Sequence, residues 1–224
     1  MTVFKAESCV IWTVNAEFFF HPLFSLWGYP VGLLELVGSV FGLLGVWLAA
    51  RSNWLTWPIG LLNVVCFFFL YYRASLYSDM LLQVYYVSVS MYGWIMWRKK
   101  GDRQLHHTLY SWRGHLWLAF AVISGTLVFG YMVSQLHLWF PVTFPHPASF
   151  AYLDTLVAVT SITATFLQAR KKVESWILWV AVDALATWIY WQKDLKLIAI
   201  EFFVFTLMAV YGFMHWFKLY KEGK

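Results

Sequence analysis

The stretch VESWILWVAVDALATWIYWQ (residues 173–192) is long and apolar enough to cross a bilayer, yet it carries Trp176, Trp179, Asp183, Thr187 and Tyr190 at steps of three or four residues. On an α-helix that spacing puts all five on one stripe, with a carboxyl group near mid-membrane between aromatic rings. Turned toward lipid, the acid would cost roughly 2.5–3.5 kcal/mol or more. The stripe is therefore expected to face other protein or a water-filled pocket.

The rest of the chain has the same character. Of 224 residues, 61% are apolar, 21% aromatic and only 12% charged, whereas a soluble chain carries roughly a quarter charged residues. Seven apolar runs, near 30–50, 54–72, 79–97, 116–137, 149–168, 174–192 and 196–216, each have the length of about 20 residues that spans a roughly 30 Å hydrocarbon core. The expected fold class is an all-α membrane protein of seven transmembrane helices. Residues 1–29 lack the basic start, unbroken apolar core and small-residue cleavage site of a signal peptide, and Glu7, Asn15 and Glu17 interrupt them. They read as a retained N-terminal interfacial segment, either an amphipathic helix or a further span.

Several chemistries are disfavoured. Cys9 and Cys66 are the only cysteines, too few for a disulfide framework or a cysteine metal site. His106 and His107 have no Asp, Glu or Cys at metal-ligand spacing, and no GxxxxGK[ST] sequence offers an ATP-driven motor. No cofactor or metal is expected, and no helix shows the paired carboxylates, His-Glu-x-x-His or Ser/His set of an intramembrane enzyme.

Positive charge is confined to short segments between the apolar runs, which points to membrane topology and not to nucleic acid. Arg51, Arg98, Lys99, Lys100, Arg103, Arg113, Arg170, Lys171, Lys172, Lys218, Lys221 and Lys224 fall on one face of a seven-span plan, and Lys5, Arg73, Lys193 and Lys196 on the other. Twelve against four predicts an N-terminus outside and a C-terminus in the cytoplasm.

The chain also repeats itself. An offset of 119 residues aligns spans one to three with spans five to seven without a gap: Ala50-Arg51 with Ala169-Arg170, Trp57 with Trp176, Tyr71 with Tyr190, Leu76 with Leu195, Tyr92-Gly93 with Tyr211-Gly212, Trp97 with Trp216, and Glu35 with Asp154. Three is odd, so copies joined directly would be inverted in the membrane. An unmatched fourth span restores the direction and gives a 3+1+3 plan with two parallel repeats. The expected divisions are 30–98 for the first repeat, 99–148 for a basic loop, linker helix and outer Pro-rich loop, and 149–224 for the second repeat and cytoplasmic tail.

NWLTWPIGLLN (53–63), RASLYSDMLLQVYYVSVSMYGWIMW (73–97) and WILWVAVD (176–183), with its Trp-x-x-Trp-x-x-x-Asp spacing, resemble the PnuC-type nicotinamide riboside transporters. The resemblance runs from about residue 30 to the C-terminus. It implies a 3+1+3 fold like that of the SWEET sugar transporters, a homotrimer in membrane lipid, and facilitated diffusion of the phosphate-free vitamin followed by trapping through a cytoplasmic nicotinamide riboside kinase. It implies also that Trp176, Trp179 and Asp183 contribute to the substrate site. The first half departs from a strict copy, with Trp57, Gly60 and Val64 at the matched positions.

The residue chemistry agrees with such a ligand. Indole faces attract cations by roughly 0.5–2 kcal/mol, and a carboxylate accepts from ribose hydroxyls or balances a ring charge. On the third span Asp79, Gln83, Tyr86 and Ser90 share a face, and the Gln83 amide both donates and accepts. On the second, Thr56, Gly60 and Asn63 form a stripe, and Pro58 removes a backbone donor and so marks either a hinge or a packing kink. The candidate substrate-binding set is Trp57, Asn63, Gln83, Tyr86, Trp176, Trp179, Asp183 and Tyr190. Glu35 and Asp154 read as an outer gate or as hydrated span ends, Glu201 as a support of the fold, and Gly38-x-x-x-Gly42 as a site of close helix approach. The expected function is uptake of a small vitamin nucleoside across the bacterial inner membrane. The competing readings are a proton-coupled importer of thiamine, riboflavin or a sugar, and an intramembrane enzyme.

Overall fold

In a computed structural model that describes residues 22–26, 29–73, 77–104, 106–142, 151–192 and 196–223, each of the seven apolar runs is a helix. These are α1 (Leu33–Ala50), α2 (Thr56–Arg73), α3 (Tyr77–Gln104), α4 (Trp112–Trp139), α5 (Ala151–Ala169), α6 (Glu174–Gln192) and α7 (Lys196–Glu222). Three stretches, Leu33–Ala50, Trp112–Trp139 and Ile198–Glu222, meet the length and apolarity of a membrane crossing by themselves. The other helices carry more polar side chains, which they turn toward one another.

Two local expectations are corrected. Pro22–Leu26 and Tyr29–Gly32 pair as an antiparallel hairpin, β1 and β2, so this end of the N-terminal segment is extended and not helical. Residues 1–21 lie outside the described residues. The third helix runs through the basic RKKGDRQ stretch to Gln104, since nothing in that sequence breaks a helix beyond one glycine. Pro58, the candidate hinge or packing kink, sits in the first turn of α2, where the backbone N–H has no helical partner to lose. The carbonyl of Trp54 that Pro58 cannot reach accepts instead from the Trp57 N–H at 3.3 Å.

Packing closes six helices into a ring. In order, α1 lies against α2, α2 against α3, α3 against α5, α5 against α6, α6 against α7 and α7 against α1, while α4 packs on α5 from outside. Glycines set the close approaches. A methyl on Gly93 of α3 would stand 2.4 Å from the Trp57 ring, and one on Gly212 of α7 would stand 2.7 Å from the Trp176 ring. Gly38 and Gly42 of α1 admit Phe67 and Asn63 of α2, and the Asn63 amide donates to the Gly38 carbonyl at 2.8 Å.

Contacts recur 119 residues apart. After α1, Ser52 and Asn53 donate to Ala49 and Leu48, and after α5, Lys171 and Lys172 donate to Gln168 and Leu167. Both turns are Schellman caps, with Ser52 (φ 58°) and Lys171 (φ 51°) in the left-handed region at a cost of about 1 kcal/mol or more each. Trp47 stacks on Tyr211 at 5.5 Å, and Phe166 on Tyr92 at 6.3 Å.

The basic segments meet at one end of this ring. Thr108 bridges Lys172 and exchanges backbone bonds with Lys171 and Val173, His107 pairs with Ser52 at 2.9 Å, and the His107 ring packs edge-on against Trp216 at 4.7 Å. Glu174, buried at the start of α6, takes the Tyr110 backbone N–H and lies 3.2 Å from His115 Nε2. The connector before α4 is thereby fastened to both sides of the ring.

Gly93→Ala and Gly212→Ala each force an indole ring to move and are expected to destabilise the fold by about 1–3 kcal/mol. Gly45→Ala, whose methyl would meet its neighbours at an ordinary 3.8 Å, is expected to be neutral. Thermal unfolding of the detergent-solubilised variants reads the contrast.

Candidate functional site

Each ring helix has one outward face and one inward face, and α6 shows both. Ile177, Ala181, Ala184, Trp188 and Trp191 are exposed along one stripe, whereas Trp176, Val182, Asp183 and Ala186 are buried along the opposite one. Asp183 is only 5% exposed. The acid is enclosed by protein, as its cost in lipid demands.

At the basic end the interior is filled by four tryptophans: Trp57, Trp97, Trp176 and Trp216, all nearly inaccessible. Trp57 meets Trp97 edge-on at 5.4 Å, Trp176 meets Trp216 edge-on at 5.5 Å, and Trp97 and Trp216 touch at 5.9 Å. Such edge-to-face pairs add about 0.5–1.5 kcal/mol to burial. The indole N–H of Trp97 donates to the Ala169 carbonyl at 2.9 Å, and that of Trp216 to the Ala49 carbonyl at 3.0 Å. Each bond ties one group of three helices to the end of a helix in the other. The Nε1 atoms of Trp57 and Trp176 are buried without a hydrogen-bond partner among the described residues.

One turn or two further along, the lining becomes polar. The Tyr86 hydroxyl of α3 hydrogen-bonds Ser161 of α5, and Asp183 of α6 and Tyr71 of α2 lie close enough to act on it electrostatically. Gln83, one turn before Tyr86, is buried. Tyr85 donates to the Ile162 carbonyl at 2.7 Å and holds α3 against α5. Trp179, one turn from Asp183, donates its N–H to Gln168 Oε1 at 3.0 Å, which fixes the plane of the indole.

The structure thus brings Tyr86 and Asp183 together, with Gln83 and Trp179 one helical turn from them on the same elements. It places the other four sequence candidates elsewhere. Trp57 and Trp176 belong to the packed cluster, Asn63 to the α1–α2 seam, and Tyr190 stacks on Phe202 at 5.3 Å between α6 and α7. The side chain of Asp79 lies outside the described residues. Ser161 and Gln168 are additions to the set. Both stand on the polar stripe of the fifth span, but only the fold reveals that one meets Tyr86 and the other Trp179. Glu201 hydrogen-bonds Ser39 with Glu35 nearby, a seam contact between α7 and α1. Asp154 is exposed at the start of α5.

A helix ring that is apolar outward and polar within is the construction of a multi-pass membrane protein, because lipid rejects unpaired polar groups and ionisable side chains alike. The particular kind follows from comparison with known proteins. The family model described as nicotinamide mononucleotide transporter matches residues 32–218, and the chain belongs to that family of membrane transporters. The nicotinamide riboside transporter PnuC of Escherichia coli (strain K12) is 29% identical over 214 residues, covering 87% of this chain and 89% of its own length. The PnuC of Neisseria mucosa is 27% identical over 208 residues, covering 86% and 75%. The riboflavin/roseoflavin transporter RibM of Streptomyces davaonensis is 23% identical over 188 residues, covering 81% and 83%. A crystal structure of the vitamin B3 transporter PnuC superimposes with a TM-score of 0.67 at 26% identity, covering all of this chain and 94% of that one.

Trp97→Phe and Trp216→Phe keep the aromatic packing and remove one bond each between the two groups of helices. Each is expected to cost about 1 kcal/mol, and the pair together somewhat more than the sum, measured as loss of thermal stability in a double-mutant cycle.

Proposed function

We propose that this protein carries nicotinamide riboside across the bacterial inner membrane by facilitated diffusion, as a 3+1+3 carrier with alternating access. The carrying observation is the enclosed pair Asp183 and Tyr86, one helical turn from Trp179 and Gln83, in a chain that belongs to a transporter family and is similar in fold to a vitamin B3 transporter. The ligand class suits that lining: a flat cationic ring for Trp179 and Asp183, and a sugar whose hydroxyls suit Gln83, Tyr86 and Asp183.

The paired turns, aromatic stacks and glycine contacts at an offset of 119 residues support two repeats built from α1–α3 and α5–α7. In that reading α4 is the extra span that keeps the repeats parallel, and the two groups rock about the seams α3–α5 and α7–α1. The gathering of the basic segments at one end supports a cytoplasmic location for that end, with the N-terminus outside. The tryptophan cluster is then an inner closure, and Trp57 and Trp176 act there as parts of the gate. The apolar outward face of α4, on which Trp112, Trp117, Phe120, Ile123 and Leu127 are exposed, meets lipid or the neighbours of a homotrimer. No energy source is needed if a cytoplasmic kinase phosphorylates the vitamin, since the added charge keeps the product from the aromatic pocket.

A second reading has one specific support. The similarity to RibM admits riboflavin as the cargo, with proton coupling through a buried acid as a further variant. Calorimetric binding of nicotinamide riboside, thiamine and riboflavin separates the cargoes, and nicotinamide riboside is expected to bind tightest. Asp183→Ala and Trp179→Ala are expected to weaken it at least about tenfold, and Gln168→Leu, which frees the indole, by about fivefold. Unchanged binding in both alanine variants would remove those residues from the site. In proteoliposomes, uptake is expected to stop at the outside concentration with or without a pH gradient; accumulation beyond it would establish coupling.

A further inference from the structure

We propose that Gly60 of α2 makes the room that the ligand occupies, and that the size of the side chain at this position decides what the carrier admits. This rests on the reading of the ring interior as the binding chamber. It goes beyond that reading by assigning the space to one residue of the opposite half.

Three observations converge. First, a methyl group built on Gly60 would meet nothing within 4 Å, whereas one on Gly38, Gly42, Gly93 or Gly212 would press on a neighbouring side chain. Those four glycines make room for a neighbouring side chain; Gly60 has its backbone near Gly45 of α1, while its own methyl direction is open. Second, the open space lies inside the ring. On α2 the exposed residues are Leu55, Leu62, Val65, Phe69 and Tyr72, while Trp57 and Val64 are buried and Thr56 donates to the Gly45 carbonyl of α1 at 2.8 Å. With 3.6 residues per turn, Gly60 points between the buried face and α1, away from the outward stripe.

Third, the offset of 119 residues pairs Gly60 with Trp179. The outward stripes of α2 and α6 coincide at Leu62 and Ala181, Val65 and Ala184, Phe69 and Trp188, and Tyr72 and Trp191, so both residues point away from that stripe. On α6 an indole fills that direction and is held by Gln168; on α2 the same direction holds a hydrogen atom. The remaining pairs differ in the same sense: Val64 faces Asp183 across the repeat, Phe205 answers Tyr86, and Gly42 answers Ser161. Phe205 indeed lies 3.7 Å from the methyl position of Gly42, as Tyr86 meets Ser161. The α3, α5 and α6 side of the ring therefore supplies the indole and the polar groups, and the α7, α1 and α2 side supplies the volume.

The test uses the full-length protein with Gly60→Ala, Gly60→Leu and Gly60→Trp, and nicotinamide riboside as the ligand measured by calorimetry. Thermal stability without ligand is expected to rise slightly in Gly60→Ala, because alanine favours the helix over glycine. Affinity is expected to fall about threefold in Gly60→Ala and more than about a hundredfold in Gly60→Leu and Gly60→Trp. A folded Gly60→Leu protein that binds as the wild type does would overturn the assignment. A second arm needs no ligand. In a background with Cys9→Ser and Cys66→Ser, Gly60→Cys is expected to react with a small charged methanethiosulfonate and Leu62→Cys, on the outward stripe, is not. Equal labelling at the two positions would also overturn it. If the wild type fails to bind nicotinamide riboside, the proposed cargo is wrong, and the labelling contrast still decides whether position 60 faces open space.

Discussion

Two indole N–H groups hold the halves of this protein together. Trp97 reaches the carbonyl of the last residue of α5, and Trp216 that of Ala49 near the end of α1, which also takes the Ser52 N–H. In a medium without water an indole N–H must find a partner, so the two bonds satisfy donors that would otherwise be costly to bury. Their placement brings four tryptophans to one end of the ring, and the glycines at 93 and 212 let the outer pair lie flat against α3 and α7. The ring is full at this end. The polar groups at Tyr86, Ser161 and Asp183 lie further along the same helices, where the filling gives way to a lining.

The recurrence at an offset of 119 residues runs through the frame and stops short of the site. The turns at Ser52 and Lys171 keep one backbone conformation although a small hydroxyl and a long cation occupy them, because the Schellman bonds and not the side chains fix the turn. Lys171 puts its ammonium 5.0 Å from the Trp97 ring, a use that Ser52 cannot share. Inside the ring the matched positions differ: Trp179 bonds Gln168 and Tyr86 bonds Ser161, where Gly60, Phe205 and Gly42 have no polar side chain to offer. A symmetric ring would offer two equal half-sites. The observed one gathers an acid, a phenol and an indole on the α3, α5 and α6 side, and so presents a ligand with a single preferred orientation.

Much of this was legible in the sequence, for identifiable reasons. The helices announce themselves because lipid demands long apolar runs, and Trp and Gly matches at an offset of 119 residues fall at contact points such as Trp57 on Gly93 and Trp176 on Gly212. The enclosure of Asp183 follows from the cost of the alternative. What pattern reading could not separate is the division of labour among residues on one stripe. Trp176 and Trp179 are three positions apart, yet that turn of the helix carries the first into the packed cluster and the second to Gln168. Asn63 has the chemistry of a pore residue, but two glycines on α1 draw it into the seam. Pro58 costs α2 no helical bond, because it stands in the first turn, where the backbone N–H groups have no carbonyl to reach.

The proposed alternating-access cycle has to open the end that the tryptophans close, and the contacts there bound what that requires. Opening separates two indole–carbonyl bonds of about 1 kcal/mol each and the aromatic contacts beside them, a total of a few kcal/mol. A closed state favoured by that much would leave the open one rarely populated, and the ligand itself shifts the balance only by the difference in its affinity for the two. The opposite end must therefore gain comparable contacts as this one loses them. The α1–α7 seam has material for it there: Glu201 already bonds Ser39 beside Glu35, and polar groups of this kind bond one another when the helices close and bond water when they part. A seam of that kind gains when the helices close on it and loses little when water enters, which is the property an outer closure needs to balance a tryptophan closure within.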